Sequence, residues 1–252
     1  MEYHQQAEPT YDTINQATSD RNEGQPVLAI IYDLEMTVNR KKGEPSEIIE
    51  IGAVKVSTIN GKPEIIDKYQ SFVRPVYTPR LSSDTEDFTG ITQADVHQAS
   101  ALQDVLDSFI AWIDSDEYAL LSWGEDDKVQ FVKECRDKKI PLHWLMNYTN
   151  LQKQVTTLMK RNKNQQIGLK AALEALDISF VGDHHRALDD AYNTALIYLH
   201  FADHIKLHLN ETSDYETYKS ELIYQDEEET EDDRLSKSPF AALASMNLPN
   251  RN

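Results

Sequence analysis

Four carboxylates and one histidine, spread over three short segments, are the residues of this chain best suited to chemistry. Asp33-Leu34-Glu35 supplies two of the acids. Asp127 ends Ser122-Trp123-Gly124-Glu125-Asp126-Asp127, and His185 and Asp190 bound His185-Arg186-Ala187-Leu188-Asp189-Asp190. Gathered in one place they could surround a pair of divalent metal ions, with the imidazole left to handle a proton on water.

Spacing sets how each segment can be used. Alternate side chains of a strand share a face, so Asp33 and Glu35 would project together, about 6.6 Å apart along the chain. Asp-x-Glu is a frequent triplet and marks no site by itself. Trp123-Gly124 closes an apolar segment and Asp127 would open the next helix, where an acid also suits the helix dipole. Capping by Asp126 or Asp127 explains that segment too, and Trp123 reads as core. His185 and Asp190 are separated by about 500° of helical turn and cannot share one helical face. They converge if His185 lies in a loop and Asp190 in the early turns of the following helix. His184 and Asp189 compete for the same roles, and spacing does not choose between them.

The elements that must position these residues are read from hydrophobic periodicity. Residues 27–32 predict a buried strand ending at Asp33. Residues 48–56 and 65–73 predict two more, joined as an antiparallel hairpin through Asn60-Gly61. Helical spacing covers 101–113, with Leu102, Val105, Leu106, Phe109, Ile110 and Ile113 on one face. A strand at 118–123 follows, then helices at 127–137, 151–159, 168–176 and 187–205. Ala187, Ala191 and Ala195 give the last helix a small-residue face for close packing on a sheet. This order predicts an α/β domain with a mixed central sheet flanked by helices.

We place that domain at 26–207, between a disordered N-terminal tail (1–25) and an acidic, mostly disordered C-terminal tail (208–252). Acids crowd residues 221–234, and a short apolar motif follows at 238–246. Phe240, Leu243 and Met246 could dock there into a partner's groove; a solvated end without a partner is the plainer reading.

Composition narrows the function classes. No apolar run approaches the roughly 18 residues of a membrane span, and the first residues do not read as a secretory leader. Cys135 is the only cysteine, which excludes an intramolecular disulfide and a thiolate metal cluster. These features predict a cytoplasmic protein without membrane contact. The net charge of −18 weighs against a nucleic-acid partner. Residues 1–25 and 207–252 carry −4 and −7 of it, however, leaving −7 on residues 26–206, where four acids are the candidate metal ligands.

In order and local context, the three segments resemble the three motifs of the DEDDh 3′–5′ exonucleases. That family includes RNase T, oligoribonuclease-like enzymes and the proofreading subunit of bacterial DNA polymerase III. Glu47-Ile48-Ile49-Glu50-Ile51-Gly52-Ala53-Val54 is similar to the family's second strand, and Phe88-Thr89-Gly90-Ile91-Thr92 to its substrate-contacting segment. The likeness covers roughly residues 26–205 and is nearest to the bacterial KapD-like branch, itself similar to eukaryotic exonucleases acting on small RNAs and histone mRNA ends.

The resemblance implies a ribonuclease-H-like fold and hydrolysis of phosphodiesters from single-stranded 3′ ends, RNA favoured over DNA, with release of nucleoside 5′-monophosphates. It implies two divalent ions, Mg²⁺ or Mn²⁺, which all-oxygen ligation also favours. Asp33, Glu35 and Asp190 would hold the first, Asp33 would bridge to the second, and Asp127 would bind through water. His185 would be the general base. Met36, Thr37, Phe88, Thr89, Gly90 and Ile91 would touch the terminal nucleotides, with Phe88 alternatively core.

From Tyr148 to Leu173 the chain has no acid but carries Lys153, Lys160, Arg161, Lys163 and Lys170. Lys160 and Arg161 could therefore track phosphates, unless the stretch is an ordinary solvated surface. A second function class stays open: a regulatory or adaptor protein that binds nucleic acid or protein through this domain and is recruited by its tails.

Overall fold

The computed structural model describes residues 28–38, 45–59, 61–161 and 165–208. Its sheet has the order β3-β2-β1-β4-β5, with β1 Leu28–Met36, β2 Ile48–Ile59, β3 Lys62–Phe72, β4 Tyr118–Ser122 and β5 Thr149–Asn150. β2 pairs antiparallel with both β1 and β3, whereas β4 pairs parallel with β1 and β5. This is the mixed sheet expected from the element order. β1 runs past Asp33 to Met36 because β2 continues to pair with it, Asp33 opposite Gly52 and Glu35 opposite Glu50.

Around the sheet lie α1 Ser83–Thr89, α2 Gln93–His97, α3 Leu102–Ile113, α4 Asp126–Asp137, α5 Leu151–Leu158, α6 Leu169–Ala175 and α7 Ala187–Phe201. The last helix ends at Phe201, short of the expected 205. The sequence reading missed α1, α2 and β5, which are too short to establish a period. Local chemistry makes α1 instead. The Ser82 side chain accepts from the Thr85 N–H at its start, and Gly90, at φ +69°, ends it in the left-handed region.

Residue parity along β1 divides the core. Ile30, Tyr32 and Leu34 face Leu106 and Phe109 of α3 and Phe131 of α4. Ala29 and Ile31 face the opposite layer, with Val155 of α5, Leu173 of α6 and Ala191 and Ala195 of α7. Asp33 and Glu35 continue this second register. Acids and apolar residues thus share one strand face, and the acids fall at its carboxyl end.

A buried ion-pair hub ties β2 to the chain leading into α1. Glu47 accepts the N–H groups of Val76, Tyr77 and Thr78 at 2.7–2.8 Å. Lys138 bridges it to Glu134, at 3.2 and 2.7 Å respectively, and Glu134 accepts the Ile48 N–H at 2.8 Å.

Among the described residues no helix is long and apolar enough to cross a membrane. The tail at 1–25, Lys163 and the motif at 238–246 lie outside the described residues. At the other boundary, the His208 N–H donates to Thr149 Oγ1 at 2.8 Å, fastening the chain beside β5.

Candidate active site

The carboxyl end of β1 meets the first turns of α4 and α7. Ligand atoms of Glu35, His185 and Asp190 lie within 4.8 Å of one another. Asp127 enters from the start of α4, and its carboxylate accepts a hydrogen bond from the backbone of Leu34, the residue between Asp33 and Glu35. Asp190 is in the first turn of α7 and His185 in the loop before it, the arrangement their five-residue spacing requires.

Burial raises the pKa of all four candidate ligand acids, and repulsion within the cluster adds to it at Asp33, Glu35 and Asp127. Asp33 lies well above its ordinary value, through burial first and then through Asp127, Asp190 and Glu35. Burial, with Asp190 and Glu50 next, pushes Glu35 up to about 8. Asp127 rises to about 7 through burial, opposed by the Leu34 hydrogen bond. Asp190 is also raised by burial, opposed by the His185 N–H. The Arg186 guanidinium, which pairs with Glu50 at 3.1 Å, opposes the rise at Glu35. Crowded carboxylates in apolar surroundings, with oxygen donors and one imidazole, fit hard divalent cations.

His185 has φ +62°, and its backbone N–H donates to Asp190 Oδ2 at 3.0 Å. Its exposed imidazole lies against Phe88, ring centroids 4.0 Å apart. The two neighbours that competed for these roles sit differently. His184 packs at a tilt against Phe180, with ring centroids 3.7 Å apart. Asp189 accepts the Asp183 N–H at 2.9 Å and packs against Gly182, so its carboxylate organises the preceding loop.

The proposed substrate contacts divide. Phe88 is 53% exposed beside His185, not core, and Met36 is half-buried at the end of β1. Lys160 and Arg161 are exposed just beyond α5. Lys153 pairs with Glu125 at 2.6 Å.

The side chains of Ile91, Thr89 and Thr37 correct the expectation. Ile91 is fully buried with Ile49 and Val96 and cannot wedge between bases without opening that cluster. The Thr89 hydroxyl donates to Thr85 O and accepts the Ile91 N–H. Thr37 Oγ1 accepts the Glu47 N–H at 3.0 Å. All three side chains are buried and engaged within the fold, so only their backbone could face a ligand. Gly90 serves as the left-handed cap of α1.

Glu50 and Gly52 carry parts in the site that were read only as strand residues. Glu50 is fully buried and accepts the Ala187 N–H at 3.2 Å. The available signal was an acid and a glycine inside an otherwise apolar strand, positions that need a partner and a close approach respectively.

A family model described as the RNase T exonuclease matches residues 30–198. ERI1 exoribonuclease 2 from Danio rerio is 32% identical over 191 residues, which is 67% of this chain and 34% of that protein. 3′-5′ exoribonuclease 1 from Mus musculus is 32% identical over 194 residues, 72% of this chain and 55% of the relative. The chain therefore spans about a third to a half of the length of these relatives. Among solved structures, the nuclease domain of 3′hExo, a DEDDh family member bound to rAMP, superposes with a TM-score of 0.65 at 30% identity, covering 74% of this chain and 97% of the other. The architecture is the ribonuclease-H-like one of these exonucleases.

Proposed function

The chain belongs to the RNase T exonuclease family, and from that premise we propose that it is a metal-dependent 3′–5′ exonuclease. It hydrolyses phosphodiester bonds at the 3′ ends of single-stranded nucleic acid and releases nucleoside 5′-monophosphates. RNA is the preferred substrate; relatives named as exoribonucleases support this, whereas the finer placement near the KapD-like branch rests on the sequence motifs alone. The observation that carries the reading is the convergence of Glu35, His185 and Asp190, with Asp33 and Asp127 interacting electrostatically alongside.

Asp33, Glu35, Asp127 and Asp190 would hold two divalent ions, Mg²⁺ or Mn²⁺, whose charge, when bound, stabilises the attacking and leaving oxygens of an in-line displacement. His185 takes the proton from the attacking water. Its exposed ring has room for that role, and the Asp190 bond to its backbone steadies the residue. Phe88 offers a face to the terminal base. Lys160 and Arg161 attract the upstream phosphates. A reducing compartment such as the cytoplasm suits Cys135, a buried free thiol.

The test is a gel assay on matched 5′-labelled single-stranded RNA and DNA with Mg²⁺, Mn²⁺ or EDTA. A metal-dependent ladder shortening from the 3′ end, absent in Asp190→Ala, is expected, with RNA trimmed faster. No ladder on either substrate would sink the enzymatic reading.

A further inference from the structure

Resting on that reading, we infer that Glu50 and Arg186 are positioning residues, a brace anchored on a buried carboxylate that holds the His185 imidazole against the carboxylate cluster. Glu50 stands directly across the β1–β2 pairing from Glu35, yet its oxygens are taken by donors of the protein. Oε1 accepts from Gln70 Nε2 at 2.5 Å and Arg186 Nη2 at 3.1 Å. Oε2 accepts from Arg186 Nε and from the Ala187 N–H, both at 3.2 Å. The carboxylate thus receives two N–H groups from one edge of the guanidinium, a planar pairing that fixes orientation as well as distance. The Phe72 ring lies 5.6 Å from the same guanidinium.

The consequence falls on the residue next door. At φ +62°, His185 occupies a backbone region that an L residue keeps only when its surroundings over-determine it. On one side its N–H is held by Asp190 at 3.0 Å. On the other, the Arg186 side chain and the Ala187 N–H share one buried acceptor. Both flanks of the His185 backbone are therefore fixed, which sets the direction in which its side chain leaves the chain, toward the carboxylates and the Phe88 ring. The Ala187 N–H alone would anchor the start of α7. The Arg186 fork adds the orientation that proton transfer needs.

The experiment uses the full chain and a 5′-labelled single-stranded oligonucleotide cleaved by the wild type. Arg186→Ala is expected to lower kcat by roughly 10- to 100-fold with KM little changed, and millimolar guanidinium should restore part of the loss. Arg186→Lys should recover less than wild type, because a point charge does not reproduce the fork. Because Arg186→Ala leaves Glu50 buried and unpaired, Glu50→Gln/Arg186→Ala serves as the second variant and should show the same kcat loss. Independently of catalysis, the His185 Hε1 resonance, assigned with His185→Ala, should move in both variants as the ring leaves its place 4.0 Å from the Phe88 ring.

Wild-type kcat with an unmoved resonance would overturn the inference. So would a rise in KM alone, which would make Arg186 a phosphate contact. A wild type inactive on RNA and DNA, with the resonance moving as expected, would remove the proposed activity and leave the brace standing.

Discussion

A Cβ built on Gly52 would stand 2.2 Å from the carbonyl carbon of Ala187 and 2.1 Å from the amide nitrogen of Leu188. β2 and the first turn of α7 are thus in backbone contact, and Gly52 is the pairing partner of Asp33. One missing side chain sets the distance between the strand carrying Asp33 and Glu35 and the helix carrying Asp190. Gly52→Ala should push α7 outward, costing about 1–3 kcal/mol of overpacking and most of the nuclease activity. Urea unfolding beside the gel assay measures both; unchanged stability would show that α7 has no such contact.

The raised acids give the metal-free protein a pH dependence of definite sign. The Glu35 carboxyl keeps its proton in the folded state up to about pH 8, whereas in the unfolded chain it releases it near 4.5. Between those values the folded state binds more protons, so stability is fully present below the window and is lost as pH rises through it. Thermal melts in EDTA should fall from pH 5 to pH 8, and Mg²⁺ or Mn²⁺ should raise the melting temperature most at the upper end. Asp127→Asn, removing one repelling charge, should raise the EDTA melting temperature at pH 8 while abolishing cleavage.

Phe88 and Ile91, three positions apart, should respond in opposite ways. Phe88 is half exposed against His185, so Phe88→Ala should weaken substrate binding by about 1–3 kcal/mol without moving the melting temperature. Ile91 is fully buried, so Ile91→Ala should cost about 2–5 kcal/mol of stability. Equilibrium oligonucleotide binding in Ca²⁺, together with urea melts, separates the two.

Lys138 lies between two almost fully buried carboxylates, Glu47 and Glu134. Lys138→Met strands both, and removing one partner from a buried pair costs about 3–5 kcal/mol. Denaturation should show that loss, with partial recovery in Lys138→Met/Glu134→Gln.

The Cys135 thiol is buried and its pKa is pushed up to about 12 by burial. A thiol-disulfide reagent at pH 8 should therefore leave the native protein unlabelled and react with one thiol per chain in denaturant. Rapid native labelling would place Cys135 at the surface.

The sequence by itself determined whatever depends on neighbours along the chain. Alternation along β1 puts Asp33 and Glu35 on one face, and the five-residue step from His185 to Asp190 demands a loop followed by a helix. Ala187, Ala191 and Ala195 form a stripe on any helix that contains them. These are consequences of backbone geometry, so they were legible before any packing was known.

The tertiary structure decided what depends on distant partners. Ile91 is buried because Ile49 and Val96 meet it there, which no local pattern announces. Asp190 rather than Asp189 enters the cluster because Asp189 is bound by the loop around Gly182 and Asp183. Glu50 becomes the acceptor for Arg186 across 136 positions of sequence. Residue types limit which bonds can form, but only the packed sheet and helix bring those groups within reach.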